Sequence, residues 1–457
     1  MKKYDAIFIG SGQAGTALVF KYAAAQKKVA LIEKQHYAGT CLNVGCTPTK
    51  TYVASAKKMR DIKRAGEYGI ELNGDAKVDL AKVKQRKDQL VGGSVKGLTA
   101  ALENEKNIDL YNGKASFTDN KIVSINGEDI TANQIFINVG TRSRIPKEFE
   151  NVDYLTNEGI LELTELPEHL VIVGGSYIGL EFGQMFRRFG SKVTIIERGE
   201  RLIAREDEDV SQSIKAILEE EGVEFIMNAS CIGATQEDNN QIKVRLDCDA
   251  DQPNEITGSH LLLAVGRVSN ADTLNLEATC IKANKRNHIQ VNDYLETHVK
   301  DVYALGDCNG KGAFTHTSVH DFQIVYGNLF ENKDKKASDR ILAYGLYIDP
   351  PLGRAGMTLA QAKQAYKNVK VAEYKMSKVA RAKEKGETNG FMRIVIDGDT
   401  DLILGASILG TGGDEIISGI INMMYAQQPY TLILDTVQIH PTVSELIPTM
   451  LENVKQA

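Results

Sequence analysis

No stretch of this sequence stays apolar for the ~18 residues that a membrane-spanning helix needs, and no long run carries charge of one sign. Cysteine is sparse, at 6 in 457 residues. Each shortage excludes something. Without an apolar span, no membrane is expected as a partner. With 54 basic against 60 acidic residues, a net charge of −6 and no basic stripe, nucleic acid is excluded as the main partner. So few cysteines over this length cannot form a disulfide scaffold. Four of them (Cys231, Cys248, Cys280 and Cys308) are scattered in the manner of small buried hydrophobes. Two lysines precede an apolar run at the N-terminus, as in an export signal. That run stops at Gly10 before Ser11-Gly12-Gln13, and no small-residue cleavage site closes it. The segment predicts a first buried strand, and the expected location is cytoplasmic. The charge-dense stretch from Glu331 to Arg340 mixes both signs and is expected to be a solvated linker.

What is present is an internal repeat. The strand-like YDAIFIG runs into Gly10, Gly12 and Gly15, then a helix-like stretch, then the strand KVALIEK ending at Glu33. Later, HLVIVG runs into Gly174, Ser176 and Gly179, then a helix-like stretch, then KVTIIER containing Glu197. In both copies 23 positions separate the first glycine from the acid. Strand, glycine turn, helix, strand and acid is the context that makes a GxGxxG motif a dinucleotide site. The first glycine permits the tight turn, the second lets backbone approach a pyrophosphate, and the third lets the helix pack on the strand. The helix N-terminus offers free N–H groups to phosphate, and the acid accepts from a ribose. Two such units imply two bound dinucleotides. In the second copy Ser176 replaces the middle glycine, so the backbone approaches its ligand less closely.

The length suggests about three domains. Residues 124–140 and 256–267 each read as a strand running into a glycine and closing a nucleotide domain; Val302–Asp307 reads as a further strand. From about Ile341 the pattern changes to strands followed by the helix-like EIISGIINMMYAQ, a separate α+β domain. The fold class expected is α/β, with two Rossmann-like dinucleotide-binding domains and a C-terminal α+β domain. The divisions are 1–145 and 269–335 for the first nucleotide domain in two parts, 146–268 for the second, and 340–457 for the last.

Cys41 and Cys46 lie just after the first unit, in GTCLNVGCTPTK, and so near whatever that unit binds. In a reducing compartment a close pair is catalytic or metal-binding rather than structural. Cysteines five apart span more than one helical turn, with Cα atoms near the ~4.4–6.8 Å that a disulfide allows. Pro48 suits the first turn of a helix that TKTYVASAKKMRDIK continues. A thiol before that N-terminus, with Lys50 nearby, has a depressed pKa. Zinc would require two further ligands, and no second CxxC or His/Cys cluster supplies them. The pair is read as redox-active.

GTCLNVGCTPTK resembles the active-site signature of the class I flavoprotein disulfide reductases, the group of dihydrolipoamide dehydrogenase, glutathione reductase and mercuric reductase. The resemblance extends over almost the whole chain. It includes both nucleotide fingerprints, Gly266-Arg267 with Asn270, Leu305-Gly306-Asp307, and HPTVSE from His440 to Glu445. It implies that FAD is held by Gly10, Gly12, Gly15, Glu33, Gly140 and Asp307, with Lys50 beside the flavin. It implies NADH, with NADPH as the alternative, held by Gly174, Gly179, Glu197, Arg198 and Gly266 and gated by the Tyr177 ring. Lys50 and Glu181 resemble the family's ion pair; without the family, Glu181 is only an exposed helix acid. The resemblance further implies that hydride passes from nicotinamide to flavin, that reduced flavin opens the disulfide, and that Cys46 becomes the thiolate against the flavin. Cys41 then exchanges with substrate while His440, oriented by Glu445, moves the proton. Because the family's histidine comes from the other subunit, a homodimer with shared active sites is implied.

HPTVSE is close to the C-terminal motif of dihydrolipoamide dehydrogenase, which makes that enzyme, a catalytic and docking subunit of a 2-oxoacid dehydrogenase complex, the alternative. Ser176, the Thr-Pro-Thr-Lys after Cys46 and ARAKEKGETNGFMRIVID resemble mercuric-reductase-like paralogues. No cysteine follows Cys308, whereas true mercuric reductases carry a C-terminal vicinal pair. The expected activity is therefore stress-defence reduction of a small oxidised sulfur species or soft metal ion. Glu197 favours the free ribose hydroxyls of NADH, although Arg198 sits where NADPH-using relatives place a phosphate-binding arginine.

Overall fold

Tyr4, Ala6 and Ile7–Ile9 are almost wholly buried, which places the strand Lys2–Ile9 at the centre of a sheet. In the computed structural model, which describes residues 1–239, 241–249 and 252–457, that strand pairs in parallel with Val29–Glu33 through Ala6 and Val29. On its other side it pairs in parallel with Glu128–Ile137 through Ile7 and Ile135. A late strand, Val302–Ala304, adds in parallel beyond Glu128–Ile137. The helix Gln13–Ala24 turns Ala14, Leu18, Val19, Tyr22 and Ala23 inward at helical spacing and packs beside the helix Thr315–Phe330. Between residues 137 and 302 lies a second parallel sheet, in the order Glu224–Ile226, Lys192–Ile196, His169–Val173, His260–Leu263. Strands buried on both faces read as continuous apolar runs, as Val29–Ile32 and Leu170–Val173 do.

The C-terminal sheet is antiparallel throughout. Its order is Ala343–Leu346, Leu352–Gly356, Ile403–Leu409, Phe391–Asp397, Val369–Lys375, Lys455–Gln456. The helix Gly413–Ala426 lies so close that a Cβ on Gly353 would meet the Gly413 carbonyl oxygen at 2.0 Å. No helix among the described residues is long and apolar enough to cross a membrane.

Ion pairs join these units around the helix Cys46–Lys63. Asp349, from the C-terminal part, meets Arg188 at 2.9 Å, Arg60 at 3.1 Å and Lys57 at 3.2 Å. Burial alone would raise the Asp349 carboxyl, but Arg188, Lys57 and Arg60 outweigh it and hold its pKa down at about 2.

Three local expectations change. Residues 124–140 are not one strand: Asn126 and Gly127, both at positive φ, turn a hairpin between Ile122–Ile125 and Glu128–Ile137. Residues 256–267 also divide, Glu255–Gly258 joining a three-stranded antiparallel sheet and His260–Leu263 the parallel one. The two cysteines do not share one helix. Gly39–Asn43 ends before Val44, Gly45 adopts φ −127° and ψ −117°, and Cys46 starts a new helix.

Candidate active site

The first glycine turn is closed from behind by Asn138, a residue that sequence reasoning missed. Asn138 is buried; its Oδ1 accepts from the Gly15 amide at 3.0 Å and its Nδ2 donates to the Leu305 carbonyl at 2.7 Å. A Cβ on Gly10, at φ +94°, would meet the Asn138 carbonyl oxygen at 2.4 Å, and one on Gly12 would meet Asn138 Oδ1 at 2.5 Å. Gly15 is the packing glycine, its Cβ position lying 2.7 Å from the Gly10 oxygen. Glu33 ends the adjoining strand, and its Oε2 accepts from the Ser11 amide at 3.0 Å and hydroxyl at 2.7 Å. Asp307 accepts from the Thr141 hydroxyl at 3.1 Å, and burial pushes its carboxyl up against the opposing pull of Arg267. Gly140 and Asp307 both line the cavity that begins at this turn. A turn stripped of side chains beside a helix N-terminus, with a carboxylate at the strand end, fits the ADP half of FAD.

The second turn repeats this plan. A Cβ on Gly179 would lie 2.0 Å from the Gly174 oxygen, so helix and strand pack as closely as in the first copy. Glu197 is held rigidly, its two carboxylate oxygens accepting from the Gly175 and Gly199 amides at 2.7 Å each. Ser176, Tyr177, Arg198 and Gly266 line the same cavity as the first turn. That single cavity measures about 2150 Å³, beyond the roughly 300–1,000 Å³ of an ordinary small-molecule site. It has room for two dinucleotides end to end.

Cys41 and Cys46 line the same cavity as both glycine turns. Both are thiols in this structure. Gly45 permits the reversal between them, since a Cβ there would meet the Thr40 oxygen at 2.8 Å. Asn157 Nδ2 pins the loop through the Val44 carbonyl at 2.7 Å. The Cys41 thiol donates to Cys46, and with a bond from the Thr315 hydroxyl and the nearby Lys50 charge this lowers the Cys46 pKa to about 6, although burial opposes it. Thr315 Oγ1 is 3.3 Å from Cys46 Sγ. Cys41 shifts the other way, up, through the same bond and its burial.

Glu181 is not the exposed acid that its helix position alone suggests. It is 6 % exposed, and its Oε2 meets Lys50 Nζ at 2.7 Å while its Oε1 accepts from the Tyr347 amide at 2.9 Å. The Tyr347 ring lies under the same ammonium, 4.4 Å from ring centroid to Nζ. Position on a helix does not reveal what packs over it; here it is the strand end after Leu346.

His440 and Glu445 pair with each other, Nδ1 to Oε2 at 2.9 Å, but neither lines the cysteine cavity of its own chain. The His440 side chain is 78 % exposed. Sequence reasoning also missed Thr315, Tyr344 and Tyr347. Thr315 starts the helix that follows the Gly306–Asn309 turn, a signal that was legible; the two tyrosines reach the site from the C-terminal domain and left none.

Comparison with known proteins identifies the class. The chain matches the pyridine nucleotide-disulphide oxidoreductase family over residues 4–321 and that family's dimerisation domain over residues 342–451. It belongs to this family, and is an oxidoreductase of the flavoprotein disulfide reductase group, whose cofactors are FAD and NAD(P)H. The fold is the one expected: two Rossmann-like dinucleotide-binding domains and a C-terminal α+β dimerisation domain. Among individual relatives, the chain is 34% identical to the probable pyridine nucleotide-disulfide oxidoreductase RclA of Escherichia coli, over 100% of both chains. It is 32% identical to the mercuric reductase of Lysinibacillus sphaericus, covering 91% of this chain and 76% of that one. Identity to a dihydrolipoyl dehydrogenase of Bacillus subtilis is 32%, over 96% of each. The structure of the Cu(II) complex of the HOCl-induced flavoprotein disulfide reductase RclA from Escherichia coli is similar at TM-score 0.90 and 32% identity, covering 99% of both chains.

Proposed function

We propose that this protein is a stress-defence reductase that spends NADH on a small oxidised sulfur species or soft metal ion through the Cys41–Cys46 pair. The observation that carries the reading is the placing of the two thiols. Cys46 lies 3.3 Å from the Thr315 hydroxyl, and Cys41, Cys46, Lys50 and Glu181 line one cavity with both glycine turns.

FAD, when bound, supplies two-electron transfer between the nicotinamide and the disulfide. Gly10, Gly12, Gly15, Glu33, Gly140 and Asp307 hold its nucleotide part. Gly174, Gly179, Glu197, Arg198 and Gly266 hold the nicotinamide dinucleotide, and Tyr177 covers the nicotinamide pocket until it enters. The Lys50–Glu181 pair fixes a positive charge near the reacting ring. Cys41 attacks the oxidised sulfur and forms the new bond as the substrate's leaving group departs. Cys46, ionised at neutral pH, then closes on Cys41 and releases the reduced product, so the dithiol gives up two electrons and becomes the disulfide. His440 of the partner subunit, oriented by its Glu445, takes the Cys41 proton and returns one to the leaving group.

The reading rests on a homodimer with shared sites, in the cytoplasm, with neither nucleic acid nor membrane as a partner. It divides the chain at 1–145, 146–268, 269–335 and 340–457. A substrate panel with NADH tests it: lipoamide, oxidised glutathione, Hg(II), Cu(II) and hypothiocyanous acid. Turnover of an oxidised sulfur species or metal ion well above lipoamide is expected, and loss of that turnover in Cys41→Ser. Lipoamide reduced far faster than every other compound, with co-purification of a lipoyl-bearing assembly, would instead establish the dihydrolipoamide dehydrogenase reading. The likeness to the Bacillus subtilis enzyme over 96% of each chain favours that second reading.

A further inference from the structure

Tyr177 rests in an aromatic corner assembled from three parts of the chain. The Tyr344 ring meets it edge-on at 5.5 Å and 84°, and Phe314 does so at 5.8 Å and 86°. Tyr344 and Phe314 are stacked on each other at 5.4 Å and 17°. Tyr344 is buried, and its hydroxyl donates to the Glu206 carboxylate. Glu206 Oε2 in turn meets Arg354 Nε at 3.3 Å, both side chains being almost fully buried. Arg354 is fixed by donating from Nη1 to the Ala355 and Ala406 carbonyls at 2.6 and 2.8 Å. The chain Arg354–Glu206–Tyr344 thus ties the rim of the nicotinamide pocket to the central strands of the dimerisation domain.

The Tyr177 hydroxyl anchors the ring only weakly. It is buried near Tyr344 and Arg205 but makes no well-formed hydrogen bond among the described residues. A buried hydroxyl so poorly satisfied does little to hold the conformation that buries it. What keeps the ring in place is therefore its edge-on contact with Tyr344 and Phe314, together with the Arg205 guanidinium 5.7 Å from its centroid.

We propose that Tyr344 is a positioning residue for the nicotinamide gate: locked to Glu206 and Arg354, its ring holds Tyr177 closed and so sets the cost of admitting the nicotinamide. This rests on the reading of Tyr177 as the gate. A dinucleotide that carries nicotinamide must break the edge-on contact to bind, whereas ADP-ribose, which lacks the nicotinamide, need not. The two ligands share every other contact, so their affinity ratio isolates the gate.

The test is calorimetric binding of NAD⁺ and ADP-ribose to the oxidised FAD-loaded enzyme. Tyr344→Leu is expected to tighten NAD⁺ by about two- to ten-fold, the equivalent of one aromatic pair, and to leave ADP-ribose unchanged. Because Tyr344→Leu also strips Glu206 of a donor, Phe314→Leu is measured beside it and is expected to give the same signature without touching Glu206. Tyr344→Phe keeps the ring and is expected to retain most of the discrimination. Tyr177→Leu is expected to tighten NAD⁺ at least as much, and adding Tyr344→Leu to it to bring no further gain. If Tyr177→Leu changes the ratio while Tyr344→Leu and Phe314→Leu do not, the positioning role is wrong and the gate stands. If NAD⁺ and ADP-ribose shift together in Tyr344→Leu, the residue acts on general structure and the proposal fails. If Tyr177→Leu itself leaves the ratio untouched, the gate reading fails and takes the proposal with it.

Discussion

The Thr315 hydroxyl offers a direct measurement of what makes Cys46 a thiolate. With its pKa near 6, Cys46 is about nine-tenths ionised at pH 7, against about 3% for an unperturbed thiol at pKa ~8.5. Thr315 lies 3.3 Å from the sulfur and can donate to it. Hydrogen bonds to charged groups are worth about 1.5–3 kcal/mol, and the partial solvent access of Cys46 sets the value here at the low end, roughly one pKa unit. Thr315→Val is therefore expected to move Cys46 from about 6 to roughly 7. At pH 6 the thiolate fraction then falls about five-fold, while at pH 8.5 it changes by only about 3%. The assay is the rate of alkylation of the reduced enzyme by a small haloacetamide across pH 5–9, with Cys41 and Cys46 resolved by peptide mass spectrometry. Thr315→Ser keeps the donor and is expected to keep the low pKa. A Thr315→Val profile that superimposes on the parent, or one displaced equally at all pH values, would refute the electrostatic account and leave Thr315 with a packing role alone.

Lys50→Met removes the cationic contribution and is expected to raise the same midpoint in the same assay, an unmoved midpoint counting against the charge effect. Asp349→Asn leaves Arg188, Arg60 and Lys57 facing a neutral group in a buried setting, with an expected loss of about 3 kcal/mol in denaturant unfolding. Because the Asp349 pKa is depressed in the folded state, its contribution is fully present above pH ~4 and fades as pH falls toward about 2; the parent should show this acid-limb loss and the variant should not. Mixing Cys41→Ser subunits with His440→Gln subunits is expected to restore roughly a quarter of full activity, since each hybrid dimer regains one complete site when the histidine acts across the interface; no recovery places it within its own chain. Glu197, clamped by two amides at 2.7 Å, is expected to favour NADH over NADPH in kcat/KM by about ten-fold through repulsion of the 2′-phosphate, and Glu197→Gln to narrow the gap.

Much of the site was legible because it is local in sequence. The glycine turns, the acids that follow them and the cysteine loop are each defined by neighbours within about one βαβ unit, so spacing alone places them. Glu181 was different. Its helix is buried on nearly every side, Phe182, Met185, Phe186, Arg188 and Phe189 included, because it lies between its own sheet and the cysteine helix. Periodicity detects the contrast between an apolar and a polar face, and here the polar face, Glu181, Gln184 and Arg188, is itself buried against Lys50, Asp349 and Glu221. Asn138, Tyr344 and Tyr347 were out of reach for another reason: each acts on a partner more than a hundred residues away, and no local pattern marks such a pairing. The helix break between the cysteines turned on the backbone angles of Gly45, which residue type permits but does not dictate.

The flavin-side sheet cannot be finished until the ribosome has passed Ala304, because its outermost parallel strand arrives only then and Asn138 waits for the Leu305 carbonyl. The intervening nicotinamide-side sheet has all four of its strands once His260–Leu263 is made. Synthesis therefore delivers an inserted unit able to consolidate first, while the N-terminal half remains an open-edged sheet with its glycine turn unsupported. Flavin uptake becomes a late event of biogenesis, and nascent chains stalled before residue 300 should be protease-sensitive at the N-terminus and already resistant across the insert.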